Sequence, residues 1–261
     1  MQRIFFLRAF GDFVIGMHAI SKSKQPIHVV ASLHLKPLYD ALVKAQVIST
    51  NAYYTIVFEY FGIQSGQLSF FTNKQLLSLA TFSQLQKIKK YALANPNHKG
   101  QDWVEQDIRL SLFNFLTGAH CKAVVGKGAR VYQGYHNWLA IEEQISQLEK
   151  PYKQVLILPD ARQVKKEIPK STLTLLKAEL EAKGIIVQIA RFNNNQMSSH
   201  SAELSYDNFD TLIQLIQQAD FIITADSLPA HLAQAMQKPH NIIYNQNGVN
   251  RFCTPYVWAQ Q

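Results

Sequence analysis

The sequence predicts an α/β protein, a parallel sheet with helices on its faces. Two observations lead there. Short β-rich runs alternate with apolar-periodic helical runs between residues 3 and 58 and again between 155 and 244, the pattern of parallel strands joined by crossover helices. Hydrophobic residues make up 47% of the 261 residues and charged residues 17%, ordinary for a folded chain with ample core.

Taken in order, Arg3 to Leu7 reads as a strand, and Gly11-Asp12 leads into a helix ending near Lys22. Ile27 to Ala31 reads as a strand, Leu35 to Ala45 as a helix and Tyr53 to Phe58 as a third β-rich run. Asn73 to Leu93 and Val104 to Leu116 predict helices, with a loop at Asn95–Gly100 between them. Ala123 to Val125 is a candidate strand and Asn137 to Leu148 a candidate helix. The second series starts with strand Val155–Leu158, helix Ser171–Lys183 and strand Ile185–Ala190, followed by the polar loop Asn193–Ser201. Helix Asn208–Gln218, strand Phe221–Thr224, helix Ala230–Gln237 and strand Asn241–Tyr244 complete it. Gly184 stands where a C′ glycine ends a helix. The simplest division places a boundary near residue 150, giving domains 1–150 and 151–261, and no solenoid-length repeat is visible.

The segment from Phe221 to Met236 carries the most chemical information. It predicts a buried strand, a polar turn and a helix start, with Asp226 or Ser227 as N-cap and Pro229 early in the helix. A helix N-terminus offers unpaired N–H groups and a positive dipole end, a setting suited to phosphate. Asp12 lies just beyond the carboxyl end of the first predicted strand, where open α/β sheets place ligands. It suits an N-cap or a catalytic base. Lys166 follows another predicted strand in the same way.

Several function classes lose support. The two cysteines, Cys121 and Cys253, are far apart and lack a CxxC spacing, which argues for a reducing compartment and against a zinc ribbon. No HExxH spacing occurs among the nine histidines, and there is no GxSxG elbow or GxxxxGK loop. Gly126-Lys-Gly128-Ala-Arg-Val131 has Val131 in place of the third glycine of a dinucleotide fingerprint and predicts a turn. Glu105 and Asp107 open a predicted helix, where residues two apart point roughly 200° away from each other and cannot share a metal. No metal and no cofactor are expected. The N-terminal apolar run spans only Ile4–Leu7, too short for a signal peptide or membrane span, so a cytoplasmic location is expected. A net charge of +8 favours anionic partners. The lysines are scattered and no nucleic-acid module is recognisable, so nucleic acid is not expected.

Three segments together resemble the heptosyltransferase-type glycosyltransferases of lipopolysaccharide synthesis, glycosyltransferase family 9. Arg8-Ala-Phe-Gly11-Asp12 through Ile20 is similar to the family's opening "GD" segment, with His18 where proline is usual. Leu156-Ile-Leu-Pro159 with Lys166-x-Ile168-Pro169 is similar to its "PG…K-x-W-P" segment, with Asp160 and Ile168 as departures. Asp226-Ser-Leu-Pro-Ala-His231-Leu-Ala233 is similar to its "D-T/S-G-P-x-H-L-A" signature, with Leu228 in place of glycine. Arg109 to Ala119, ending Leu116-Thr-Gly-Ala119, is a weaker echo, similar to the family's "R…L-T-G-A".

The resemblance implies the GT-B fold, two Rossmann-like domains facing a cleft: an N-terminal acceptor-side domain and a C-terminal nucleotide-sugar-binding domain. It implies a metal-independent inverting transferase that moves a sugar, heptose-like or other, from a nucleotide diphosphate donor to a cell-envelope glycan or lipid acceptor. Asp12 would be the catalytic base. Lys166, with Ser227, Leu228 and His231 in the turn and helix start, would hold the diphosphate, and Arg162 would add a bidentate contact. Asp226 would cap the helix or hold sugar hydroxyls, and Tyr206 and Asp207 would lie near the base. The basic charge suits peripheral contact with an anionic inner-membrane surface. Leu228 and Asp160 also suit a second reading, a non-catalytic GT-B-like protein that binds nucleotides or sugars.

Overall fold

The computed structural model describes residues 2–61, 70–72, 113–114, 117–119, 121, 127–132, 135–136, 152–193 and 203–244. Residue contacts divide the chain into two compact units, 1–123 and 124–260. Each contains a mainly parallel sheet, so the α/β class is as expected.

In the first unit, β1 (Gln2–Phe6), β2 (Ile27–Ser32) and β3 (Tyr54–Glu59) are parallel, and β4 (Phe70–Thr72) runs antiparallel to β1. The strand order is β3-β2-β1-β4. Helix α1 (Phe10–Ile20) links β1 to β2, and α2 (Lys36–Lys44), with Pro37 in its first turn, links β2 to β3. Every residue of α1 from Phe13 to Ile20 is buried. The helix approaches its sheet at Gly16, where an added β-carbon would stand 2.3 Å from Phe6 Cζ and 3.1 Å from Phe113 Cζ. Phe6 packs edge-on against Phe13, with ring centroids 5.2 Å apart, and lies 5.6 Å from Phe113.

The second unit contains β5 (Lys127–Tyr132), β6 (Tyr135–His136), β7 (Gln154–Leu158), β8 (Ile186–Phe192), β9 (Leu204–Tyr206), β10 (Phe221–Ala225) and β11 (His240–Tyr244). Their order is β6-β5-β11-β10-β7-β8-β9, parallel except for β6. Helices α3 (Lys170–Ala182), α4 (Phe209–Gln218) and α5 (Leu228–Ala235) connect successive parallel strands. The central strands β7 and β10 are almost wholly apolar, apart from Gln154 and the buried Thr224, because helices cover parallel sheets on both faces. Leu173, Leu176 and Leu180 of α3 join Val155, Ile157, Phe221 and Ile223 in one core cluster.

The helix ends follow local rules. α3 closes in a Schellman motif: Gly184 has φ 75°, its N–H donates to Glu181 O at 2.9 Å, and Ile185 N–H donates to Leu180 O at 3.1 Å. At the start of α4, Asn208 Oδ1 accepts from Thr211 N–H at 2.8 Å.

Several expectations change. Lys127–Tyr132 is a strand, not a turn: Val131 and Tyr132 suit strands, and pairing with β11 overrides the loop preference of Gly128. This strand belongs to the second sheet, and residues 137–151, around the expected boundary, lie outside the described residues. Strand β9, beyond the expected polar loop, was not foreseen. The expected helices at 73–93 and 137–148, the loop at 95–100, the strand at 123–125 and the Glu105–Asp107 pair lie outside the described residues, as does most of the helix expected at 104–116.

Candidate functional site

The carboxyl edge of the second sheet contains a topological switch point. The chain moves outward from β7 to β8 and β9, then returns through α4 to the other flank of β7 as β10. Connections leaving β7 and β10 therefore diverge at neighbouring strand ends, where open α/β sheets form their ligand crevice. Asp160 follows β7, and Asp226 and Ser227 follow β10.

These connections are tied together. Ser227 Oγ donates to the Asp160 carbonyl at 3.0 Å, bridging the two strand ends. Ile168 N–H donates to Pro159 O at 3.0 Å, folding the β7–α3 connection back onto its strand. That fold holds the short 3-10 turn Val164–Lys166 near β10, and Lys166 Nζ lies 2.6 Å from Asp226 Oδ2. The Lys166 side chain is 20% exposed and that of Asp226 8%. Ser227 occupies the N-cap position, but its side chain makes no capping hydrogen bond and instead donates to the Asp160 carbonyl, while Asp226 pairs with Lys166. Leu228 is the first residue of α5 and is half-buried. Its position still leaves the first N–H groups of the helix without intrahelical partners.

Asp160 does not stand as an uncompensated charge. Arg191 Nη1 donates to its Oδ1 at 2.6 Å, and Phe192 N–H donates to its Oδ2 at 3.0 Å. Arg191 Nε also donates to Glu203 Oε2 at 2.7 Å. Burial works against the Arg191 charge, but Asp160 and Glu203 outweigh it and hold its pKa above the usual guanidinium value. Burial and then Asp160 raise the Glu167 pKa, and the same two causes raise that of Tyr206. Tyr206 is buried at the end of β9, its ring 5.6 Å from that of Phe192, while Asp207 is exposed and accepts from Asn208 Nδ2 at 2.6 Å.

Arg162 is exposed, and it makes no ion pair among the described residues. His231 is buried one turn into α5. It is close enough to His240 to depress that residue's pKa, which burial in the first place pushes down to about 4. Thus Lys166, Asp226 and Ser227 come together with Asp160. Arg162 stays in solvent, and Tyr206 and Asp207 lie at the far flank of the sheet, beyond β8. Arg191 and Glu203 were missed by sequence reasoning. Arg191 carried the same signal as Lys166, a cation near the carboxyl end of a predicted strand.

Asp12 belongs to the first unit, as the third residue of α1 just beyond β1, and is half-buried. Beside this strand end His34 Nε2 donates to Arg8 O at 3.0 Å, which leaves Nδ1 to accept from Ser32 Oγ at 2.9 Å. His34, edge-on to Phe10 at 5.5 Å, was also missed. His18 lies at the other end of α1, buried, with a pKa lowered to about 4 by burial and then by Lys22. Among the described residues no group of three or more His, Cys, Asp or Glu is arranged to hold a metal, and no helix is long and apolar enough to cross a membrane.

Residues 132–256 match the family model of glycosyltransferase family 9 (heptosyltransferase). Among solved structures, the chain is similar to the ADP-heptose lipopolysaccharide heptosyltransferase II of E. coli, at 12% identity and a TM-score of 0.49 over 98% of this chain and 88% of that one. It is similar to E. coli heptosyltransferase WaaC in a structure with ADP-2-deoxy-2-fluoro heptose, at 13% identity and a TM-score of 0.45 over 99% and 95%. A family 9 glycosyl transferase from Veillonella parvula aligns at 11% identity and a TM-score of 0.48 over 98% and 83%. No curated protein matches. The matched region contains Asp160, Lys166, Asp226, Ser227 and His231, so the family resemblance of the C-terminal segments is borne out, and that family is one of glycosyltransferases.

Proposed function

We propose that this chain, whose residues 132–256 are a glycosyltransferase family 9 sequence, transfers a sugar from a nucleotide diphosphate donor to a hydroxyl of a cell-envelope glycan or lipid acceptor. The observation that carries this reading is the meeting of Lys166, Asp226 and Ser227 at the switch point of a parallel sheet inside the matched region. The two units would form a GT-B arrangement, the first presenting Asp12 and the second the donor.

In this reading the acceptor oxygen attacks the anomeric carbon while the bond to the diphosphate oxygen breaks, and the electron pair leaves with the diphosphate. Asp12 takes the acceptor proton. A carboxylate is a far weaker base than the alkoxide of an alcohol, so the proton moves late. Lys166 and the N–H groups opening α5 would meet the charge gained by the leaving diphosphate, with no metal required. Arg162 could swing in from solvent to add a bidentate contact. Asp226 would receive sugar hydroxyls, and the base would lie towards Tyr206 and Asp207. The chain would work in the cytoplasm, with its basic surface against anionic lipid.

Calorimetry against a panel of nucleoside diphosphates and their sugars, headed by ADP and ADP-heptose, followed by turnover assays, tests the reading. Asp12→Asn should bind donor as the unaltered protein does and lose transfer by at least about a hundredfold. Full activity in that variant removes the assigned base. The side chain of Leu228 at the first position of α5 favours a second reading, a protein that binds the nucleotide sugar without transferring it. Binding with no turnover on any glycan or lipid acceptor would support it.

A further inference from the structure

We propose that Asp226 determines specificity at the donor site by holding Lys166 in an ion pair that a diphosphate must open, so that an intact sugar nucleotide is favoured over the spent nucleotide. This rests on the donor-binding reading above. Lys166 Nζ and Asp226 Oδ2 are 2.6 Å apart, and little of either side chain reaches solvent. Salt screens such a pair less than a surface pair. Arg191 is committed to Asp160 and Glu203, and Arg162 stands out in solvent. Lys166 is therefore the cation seated at the turn among the described side chains, and it is already paired there.

A diphosphate entering here meets a carboxylate as well as a lysine. The ammonium is a compact charge with three donors on a flexible stem, so it can turn from the carboxylate to the phosphate. Asp226 then gives up the Lys166 contact and its charge faces the incoming anion in a poorly hydrated setting, which is unfavourable. A sugar hydroxyl on the diphosphate can donate to that carboxylate. A bare nucleoside diphosphate or pyrophosphate cannot. The carboxylate thus weakens binding of every diphosphate, and the sugar recovers part of the loss.

Calorimetry with inorganic pyrophosphate, ADP and ADP-heptose on the unaltered protein, Asp226→Asn, Lys166→Ala and the double variant tests this. Asp226→Asn should bind pyrophosphate and ADP about tenfold tighter. It should bind ADP-heptose with a smaller gain, and the pyrophosphate gain should be smaller in the Lys166→Ala background, where only the direct repulsion of Asp226 is relieved. If the unaltered protein binds ADP-heptose while Asp226→Asn binds pyrophosphate no more tightly, the inference is wrong and the donor reading stands. If no variant binds any of the three, both fall. Should Asp226→Asn fail to fold, the unaltered protein decides. Carbon-13 methyl labelling of its lysines, with the Lys166 signal assigned through Lys166→Arg, should show that signal moving on addition of pyrophosphate. A signal unmoved at saturation overturns the exchange.

Discussion

Removing Arg191 tests whether the carboxyl edge of the second sheet is electrostatically compensated. Arg191→Ala leaves two carboxylates, Asp160 and Glu203, without the guanidinium that holds them at 2.6 and 2.7 Å. Both remain only about a fifth exposed, at 22% and 23%. Asp160 is the residue whose carbonyl receives Ser227, so its charge lies close to any anion on the α5 turn. A unit charge at about 7 Å repels another by about 2 kcal/mol at an effective dielectric of about 20. Solvent at these partly exposed groups reduces that to about 1 kcal/mol, a five- to tenfold loss of diphosphate affinity. The same change should lower stability by about 1–2 kcal/mol, since each carboxylate keeps its desolvation cost. Calorimetry with a nucleoside diphosphate and urea unfolding measure the two effects. Asp160→Gly in the Arg191→Ala background removes the offending charge, so donor affinity should return while Glu203 stays unpaired. If Arg191→Ala weakens binding equally with and without the Asp160→Gly change, compensation of Asp160 is not what Arg191 does.

Two further predictions concern the frame. Gly16→Ala gains about 1 kcal/mol of helix propensity but puts a β-carbon 2.3 Å from Phe6 Cζ. The Phe6 ring is wedged by Phe13 and Phe113, so overpacking of about 3 kcal/mol should win and leave the variant about 2 kcal/mol less stable. A urea midpoint at or above that of the unaltered protein would contradict this, and Gly16→Ala with Phe6→Leu should recover part of the loss. His18 and His240 are each held near a pKa of 4 against 6.5 in the unfolded chain. The unfolded state therefore binds protons that the folded state refuses as pH falls below 6.5, and stability should decline through that window towards pH 4. Urea midpoints between those limits measure it. His18→Gln should flatten its share of the slope, and an unchanged slope would show that His18 charges without cost.

The parts of this fold that could be read from the chain are those where burial imposes a strong pattern. β7 and β10 are legible because they are buried and read as almost wholly apolar runs, and α3 is legible because Leu173, Leu176 and Leu180 share a face and Gly184 marks its end. β9 has three residues beside a polar stretch, too few for a periodicity to emerge, and β5 is specified by its neighbour β11 as much as by its own Lys-Gly-Ala-Arg run. The site was legible one residue at a time. Lys166 and Asp226 stood out separately, but their partnership spans sixty positions and depends on how the β7–α3 connection folds back. The same applies to Asp160, conspicuous as a departure from the family's glycine, whose compensating arginine lies 31 residues on. Spacing along the chain carries strand and helix periodicities; it does not carry the lateral adjacency of strand ends.

The helix that begins at Phe10 is buried on every side from Phe13 onward and locked to β1 at Gly16. It has no solvent face along which to slide or roll. Asp12, in its first turn, is therefore fixed to its sheet as a tooth is to a jaw. Whatever displacement such a residue undergoes during a working cycle, the whole N-terminal sheet undergoes with it. Under the proposed function, variation in acceptor would then come from segments outside this helix, with the aspartate a constant point about which they change.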